Sequence, residues 1–130
     1  MRVYLAAQYA RKAEIAEYAR QLNALGHEVV STWTDEPYSP TVQLAEVSEQ
    51  DLREIAERDI NEVLRSDALV LFSVSDKAPT YRNGRLVEFG IALALDKRLL
   101  VCGPRENIFH HLSDVEVYPD WETVKRALSR

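Results

Sequence analysis

The sequence predicts a three-layer α/β/α fold, one domain over residues 1–130 built on a parallel sheet of about five strands. Three observations carry that expectation. Apolar runs of strand length alternate with helical repeats along the whole chain, which implies right-handed crossovers and helices on both faces of a sheet. The run Ala68-Leu69-Val70-Leu71-Phe72 is continuous rather than alternating, the mark of a strand covered on both sides. With 130 residues, 46% of them hydrophobic and 28% charged, the chain is long enough for one core and is no coiled coil, disordered tail or collagen-like repeat.

The elements follow in order. Residues 2–6 form an apolar N-terminal run, read as a buried strand. Over residues 10–25, Ile15, Ala16, Ala19 and Leu22 fall on one helical face, with Leu25 at its edge. Gly26 suits the left-handed residue that ends this helix, and residues 28–32 read as a β-branched strand. Residues 34–47, with Pro37 and Pro40, lack any period and read as a loop over the sheet edge. Ser48 then caps a helix reaching about residue 65. A third strand spans 68–73 and a polar loop 75–83. A helix follows over 84–95 and a strand over 99–102, which Gly103-Pro104 breaks. A short strand at 115–117 and a helix at 121–128 close the chain. In such Rossmann-like or flavodoxin-like sheets, ligands bind beyond the carboxyl ends of the strands, so chemistry belongs after Ala6, Thr32, Ser73 and Cys102.

Charge and cysteine usage exclude several classes. The formal net charge of −5 argues against a binder of nucleic acid polymers and against a polybasic membrane anchor. No segment approaches the ~20 apolar residues of a membrane span, and the start of the chain is too short in apolar residues for a signal peptide. The single cysteine, Cys102, forbids an internal disulfide and fits a reducing compartment, so a cytoplasmic protein is expected. His110 and His111 are adjacent and cannot face one metal together, and no metal or other cofactor is expected. Neither a Gly-x-Gly-x-x-Gly turn nor a P-loop is present.

Two acids stand out. Glu88 is the only charge in Leu86-Val87-Glu88-Phe89-Gly90-Ile91-Ala92-Leu93-Ala94-Leu95, a stretch apolar almost all round, and a lone carboxylate there requires a partner or a task. The first turns of a helix favour its anion. Gly90 lowers helix propensity two residues on, as expected where something packs closely. The structural alternative is a helix-edge pair with Arg82 or Arg85. Asp59 falls at the centre of the apolar stripe Leu52, Ile55, Ala56, Ile60, Val63 and Leu64, while Glu57, Arg58 and Glu62 suit the wet face. Its structural alternative is to tether a loop backbone. Two inward carboxylates on separate helices suit glycosyl transfer, one acting at the anomeric carbon and one on the leaving group's proton.

Tyr4-Leu5-Ala6-Ala7, Asp59-Ile60-Asn61, Ser66-Asp67-Ala68-Leu69-Val70 and above all Gly84-Arg85-Leu86-Val87-Glu88-Phe89-Gly90-Ile91-Ala92 resemble the nucleoside 2-deoxyribosyltransferase family over nearly the whole chain. The resemblance implies that Glu88 is the nucleophile, forming a covalent deoxyribosyl-enzyme, that Tyr4 orients it, and that Asp59 sits beside the base and handles its proton. It implies a nucleoside or nucleotide and a free nucleobase as partners, and a homo-oligomer whose sites are shared between subunits. Family transferases carry a further acid about six residues before the nucleophile. Here that position is Arg82, and the nearest acid is Asp76. Asn107, in Arg105-Glu106-Asn107-Ile108-Phe109, is the best candidate to reach a neighbouring subunit's site.

Ala6, Gln8 and Gly84 are expected at the substrate, and Trp33, with Tyr38, can stack on a base or cover the sheet edge. Arginines at helix starts (Arg11, Arg82 and Arg85) suit a 5′-phosphate. Three readings therefore stand. They are transfer between nucleobases, hydrolysis of 2′-deoxynucleoside 5′-monophosphates by the superfamily's N-glycosidases, and a non-catalytic nucleotide-binding module. The hydrolases carry a Gly-Ser-rich turn after the first strand that Ala6-Ala7-Gln8-Tyr9 lacks, which favours the transferase. Strand one also ends without the acids of a receiver-like module. Cys102 reads as core and Asp67 as a structural tie.

Overall fold

The computed structural model describes residues 1–74 and 83–130. Among these, five strands form one sheet: β1 (Arg2–Ala6), β2 (Glu28–Val29), β3 (Ala68–Phe72), β4 (Arg98–Cys102) and β5 (Val115–Tyr118). Every neighbouring pair is parallel, in the order β2-β1-β3-β4-β5. The order reverses between β1 and β3, and a crevice opens there at the carboxyl edge of the sheet.

Four helices cover it: α1 (Lys12–Ala24), α2 (Glu49–Arg65), α3 (Gly84–Ala94) and α4 (Trp121–Leu128). On one face α2 and α3 pack against each other and against β1. On the other, Tyr18 of α1 stacks on Trp121 of α4 at 4.5 Å and on Phe72 of β3 at 5.6 Å. The continuous apolar run behaves as its pattern demands, since all of β3 is excluded from solvent.

Local chemistry explains the element ends. α1 starts later than residue 10 because Tyr9–Arg11 forms a tighter 3-10 turn first. It ends where Gly26, at φ +93°, lets its own N–H reach the Asn23 carbonyl and the His27 N–H the Leu22 carbonyl, both at 3.1 Å. Leu25 lies beyond the last helical residue and is exposed. Ser48 caps α2 by accepting the Asp51 N–H at 3.1 Å, as its spacing predicts. The second strand is shorter than expected. Leu5 N–H turns to the Ser31 hydroxyl at 3.1 Å instead of a backbone carbonyl, and the ladder stops. Asp67 ties a turn, accepting the Arg2 N–H at 2.7 Å.

The amino edge of the sheet holds both chain ends. The Met1 amino group lies 3.3 Å from His27 Nδ1. Arg98, opening β4, grips Glu116 at 2.7 and 2.9 Å and donates to the Ala127 carbonyl near the end of α4 at 3.1 Å. Among the described residues no helix is long and apolar enough to cross a membrane.

A left-handed position strains any residue with a side chain by roughly 1 kcal/mol or more. Gly26→Ala is therefore expected to lower stability by about 1 kcal/mol in thermal or denaturant unfolding. The cleft lies at the opposite edge of the sheet, so ligand affinity should not change.

Candidate active site

The crevice between β1 and β3 is a cleft with two unlike halves. Ala7 and Gln8, which follow β1, and Gly84, Arg85 and Glu88 of α3 form one half. Tyr9, Trp33, Tyr38, Leu52 and Ile55 give the other half an aromatic and aliphatic wall, into which Glu36 and Asp59 are set. Trp33 is held by its indole N–H, which donates to the Leu5 carbonyl at 2.8 Å, with the Tyr9 ring 6.0 Å away.

Of the residues singled out from sequence, Glu88, Asp59, Gln8, Trp33 and Gly84 all line this cleft. Tyr4 lies directly beneath it, fully buried in β1, and donates its hydroxyl to Glu88 Oε2. Ala6 is also fully buried, and the cleft wall begins one residue later at Ala7. Asn107 caps a 3-10 turn, Ile108–His111, by accepting the Phe109 N–H at 2.9 Å, away from this chain's own cleft. Asp76 and Arg82 lie outside the described residues.

Among the described residues Glu88 takes no arginine partner. Arg85 turns to Glu106 instead, its side chain only 1% exposed. Helix α3 is also less enclosed than its composition suggests, since Val87 is 63% exposed and, among the described residues, no other part of the fold comes within 4 Å of a Cβ at Gly90. Burial pushes the Glu88 carboxyl up to about 8, and nearby Asp59 and Glu62 add to this while the Tyr4 hydrogen bond opposes it. The Tyr4 phenol is driven far above its ordinary value, by burial first and then by Glu88 and Asp59. It therefore stays a proton donor to Glu88 across the physiological range.

The opposite wall differs from expectation. α2 is rotated so that Ile60 and Leu64 are exposed, while Glu62 is buried beside Val63. Glu62 binds the Thr32 N–H at 3.0 Å and the Thr32 hydroxyl at 2.6 Å, so it is Glu62, not Asp59, that tethers the loop after β2. A signal was present in the i, i+3 spacing of Asp59 and Glu62, which places both acids on one helical face. Arg58, assigned to the wet face, donates to Asp59 Oδ1 at 2.8 and 3.2 Å and to Glu36 Oε2. No sequence signal marked Glu36, which sits in the aperiodic loop. Burial pushes Asp59 up to about 6 against the opposing pull of Arg58.

A third constellation braces the helix that carries Glu88. Glu106 accepts the Val74 N–H at 3.1 Å and the Arg85 guanidinium at 2.5 Å, joining the exit of β3 to the entry of α3. Its own N–H is held by His110 Nδ1 at 2.9 Å, and that fully buried ring meets Phe89 edge-on at 4.8 Å. His110 is thus structural. Cys102 is half-buried, and its thiol is pushed up to about 11 by burial, which fits a core residue better than a nucleophile. Among the described residues no three His, Cys, Asp or Glu side chains are placed to hold a metal ion.

No protein-family model and no curated protein matches this sequence. Solved structures do match. The CMP N-glycosidase of Clostridium botulinum aligns with a TM-score of 0.58 at 19% identity, over 98% of this chain and 98% of that one. A 2-deoxyribosyltransferase of Bacillus psychrosaccharolyticus aligns with a TM-score of 0.67 at 19% identity, over 96% of this chain and 90% of that one. At this identity the likeness is one of fold.

A carboxylate kept protonated by burial destabilises the fold as pH rises, because the unfolded chain ionises first, near 4.5, and the folded one only near 8. Glu88→Gln is accordingly expected to gain stability over the parent as pH climbs from 5 to 8. A gain on the order of 1–3 kcal/mol should be reached and then level off. Paired chemical-denaturation curves across that range check it, and a pH-independent difference would refute the coupling.

Proposed function

We propose that this protein is a nucleoside 2-deoxyribosyltransferase that cleaves the N-glycosidic bond of 2′-deoxynucleosides through Glu88 and passes the sugar to another nucleobase. The observation that carries this reading is the Tyr4–Glu88 hydrogen bond beneath a cleft whose other wall presents Asp59. Tyr4 occupies Oε2, which orients the carboxylate and leaves Oε1 to attack C1′. As the C1′–N bond breaks, an oxocarbenium-like sugar develops beside an anion held in a poorly solvated site, which lowers the barrier. The Glu88–C1′ ester forms, and Asp59 gives its proton to the departing base. In the second half the ring nitrogen of an incoming base attacks C1′, the ester bond breaks, and that base's proton returns to Asp59. Splitting the exchange into two displacements retains configuration and makes each step easier.

The fold is shared with enzymes whose names describe both transfer and hydrolysis. The arginines around this cleft favour a neutral substrate. Arg58 is paired with Glu36 and Asp59, and Arg85 with Glu106 through one terminal nitrogen, so both charges are already balanced by a carboxylate. A 5′-monophosphate N-glycosidase is the alternative reading, with Arg85 at the start of α3 as the observation in its favour. Homo-oligomerisation belongs to the same proposal. Val87, adjacent to Glu88, is exposed, as are Ile108 and Phe109 beside Asn107, and exposed apolar side chains of this size commonly mark a protein interface.

Purified protein with a 2′-deoxynucleoside and a second free base is expected to yield the exchanged nucleoside on chromatography. Glu88→Ala should lose at least ~10³-fold in turnover with the fold intact. Base released chiefly from 5′-monophosphates, without exchange, would establish the hydrolase instead.

The two carboxyls should give a bell-shaped kcat/KM profile with limbs near pH 6 and 8, because one proton must be shared between them. Asp59→Asn should remove one limb and leave activity rising with Glu88 ionisation. Light scattering should find an oligomer, and Ile108→Asp should dissociate it with loss of activity. A fully active monomer would contradict the shared site.

A further inference from the structure

The aromatic half of the cleft contains two carboxylates arranged in an unusual way. Arg58 stands behind them and clips both, donating to Asp59 Oδ1 and Glu36 Oε2 through the same terminal nitrogen. The Glu36 side chain is 9% exposed and that of Asp59 20%, so each is largely withdrawn from water. Among the described residues, Glu36 Oε1 and Asp59 Oδ2 accept no hydrogen bond, and both residues line the cleft. The backbone carrying Glu36 is itself clamped, because Lys12 Nζ donates to the Glu36 carbonyl at 2.5 Å and the Tyr38 carbonyl at 2.8 Å. Both carboxyls are thus held in fixed positions in the half of the cleft that Trp33, Tyr9 and Tyr38 also line, the half suited to a flat heterocycle.

An ionised carboxylate is an acceptor only. A base carbonyl facing Glu36 would meet oxygen lone pairs and leave a buried acceptor unpaired, whereas an exocyclic amino group offers N–H donors. Adenine and cytosine carry that amino group where hypoxanthine and uracil carry a carbonyl.

Resting on the transferase reading above, we propose that Glu36 is a specificity-determining residue whose Oε1 accepts the exocyclic amino group of the nucleobase, beside the Asp59 that holds the proton for the leaving base. The preferred substrates are then 2′-deoxynucleosides of adenine or cytosine rather than of their oxo counterparts. Arg58 is the positioning residue of this arrangement. It holds both acids in place and balances part of their charge without itself lining that cleft.

The test compares 2′-deoxyadenosine with 2′-deoxyinosine and 2′-deoxycytidine with 2′-deoxyuridine, each pair differing only in amino against oxo. The parent is expected to favour the amino member of at least one pair by about tenfold or more in kcat/KM. Glu36→Gln keeps the shape and an oxygen acceptor while adding an N–H donor, so it should shrink that ratio about tenfold, chiefly by improving the oxo substrate. Calorimetric binding of free adenine against free hypoxanthine to the parent protein gives a readout independent of turnover and of how the variant folds. Equal turnover of both members of both pairs, or a variant that slows amino and oxo substrates in proportion, overturns the role of Glu36 and leaves the Glu88 chemistry standing. No turnover of any of the four with adenine bound about tenfold more tightly than hypoxanthine supports Glu36 and overturns the transfer reaction. No turnover and equal binding overturns both.

Discussion

The hydrogen bond from Tyr4 to Glu88 joins the first strand of the sheet to the helix that follows the third, across the point where strand order reverses. It lets a carboxyl sit in the apolar run of α3 that follows Arg85, against a buried sheet. An unpartnered carboxylate there would meet several kcal/mol of desolvation, and one well-placed phenol relieves only part of it. The remaining imbalance shows in how far Glu88 is held from its ordinary ionisation. In the reaction proposed above, its ionised form is stabilised when a positive centre approaches, as an anomeric carbon losing its leaving group does.

The walls on either side are built from buried charges used as fasteners. Glu62 fixes the loop after β2 through Thr32, Arg58 fixes Glu36 and Asp59, and Glu106 fixes the exit of β3 to the entry of α3. Buried ion pairs contribute little net stability compared with apolar residues of equal volume, but removing one partner typically costs ~3–5 kcal/mol. Their value here is positional. They set loop segments, which have no repeating backbone hydrogen bonds of their own, to fixed places around the cleft. The apolar core could not do this, because it ends where the strands end.

The fold was legible because it depends on periodicity and punctuation. Continuous runs such as Ala68–Phe72, the glycine at 26 and the Ser48 cap act locally, so the residues that cause an element lie within it. Glu88 was legible for the converse reason, as a charge breaking an apolar pattern. Asp59 was found in the same way, but its neighbour Glu62 was misread. Ile60 and Leu64 imitate an inward stripe, and only the packing of α2 on β1 decides which face turns in. Glu36 and Glu106 could not be found at all from the chain's own pattern. Their partners, Arg58 and Arg85, are 22 and 21 residues away, in other elements, and no local rule links them.

The gathering of both chain ends at the amino edge of the sheet has a practical side. Met1 rests by His27 and the end of α4 is pinned by Arg98, while the cleft opens at the far edge where the strands finish. A tether to a solid support, or a second domain joined at residue 1 or beyond α4, would therefore leave from the face remote from the cleft.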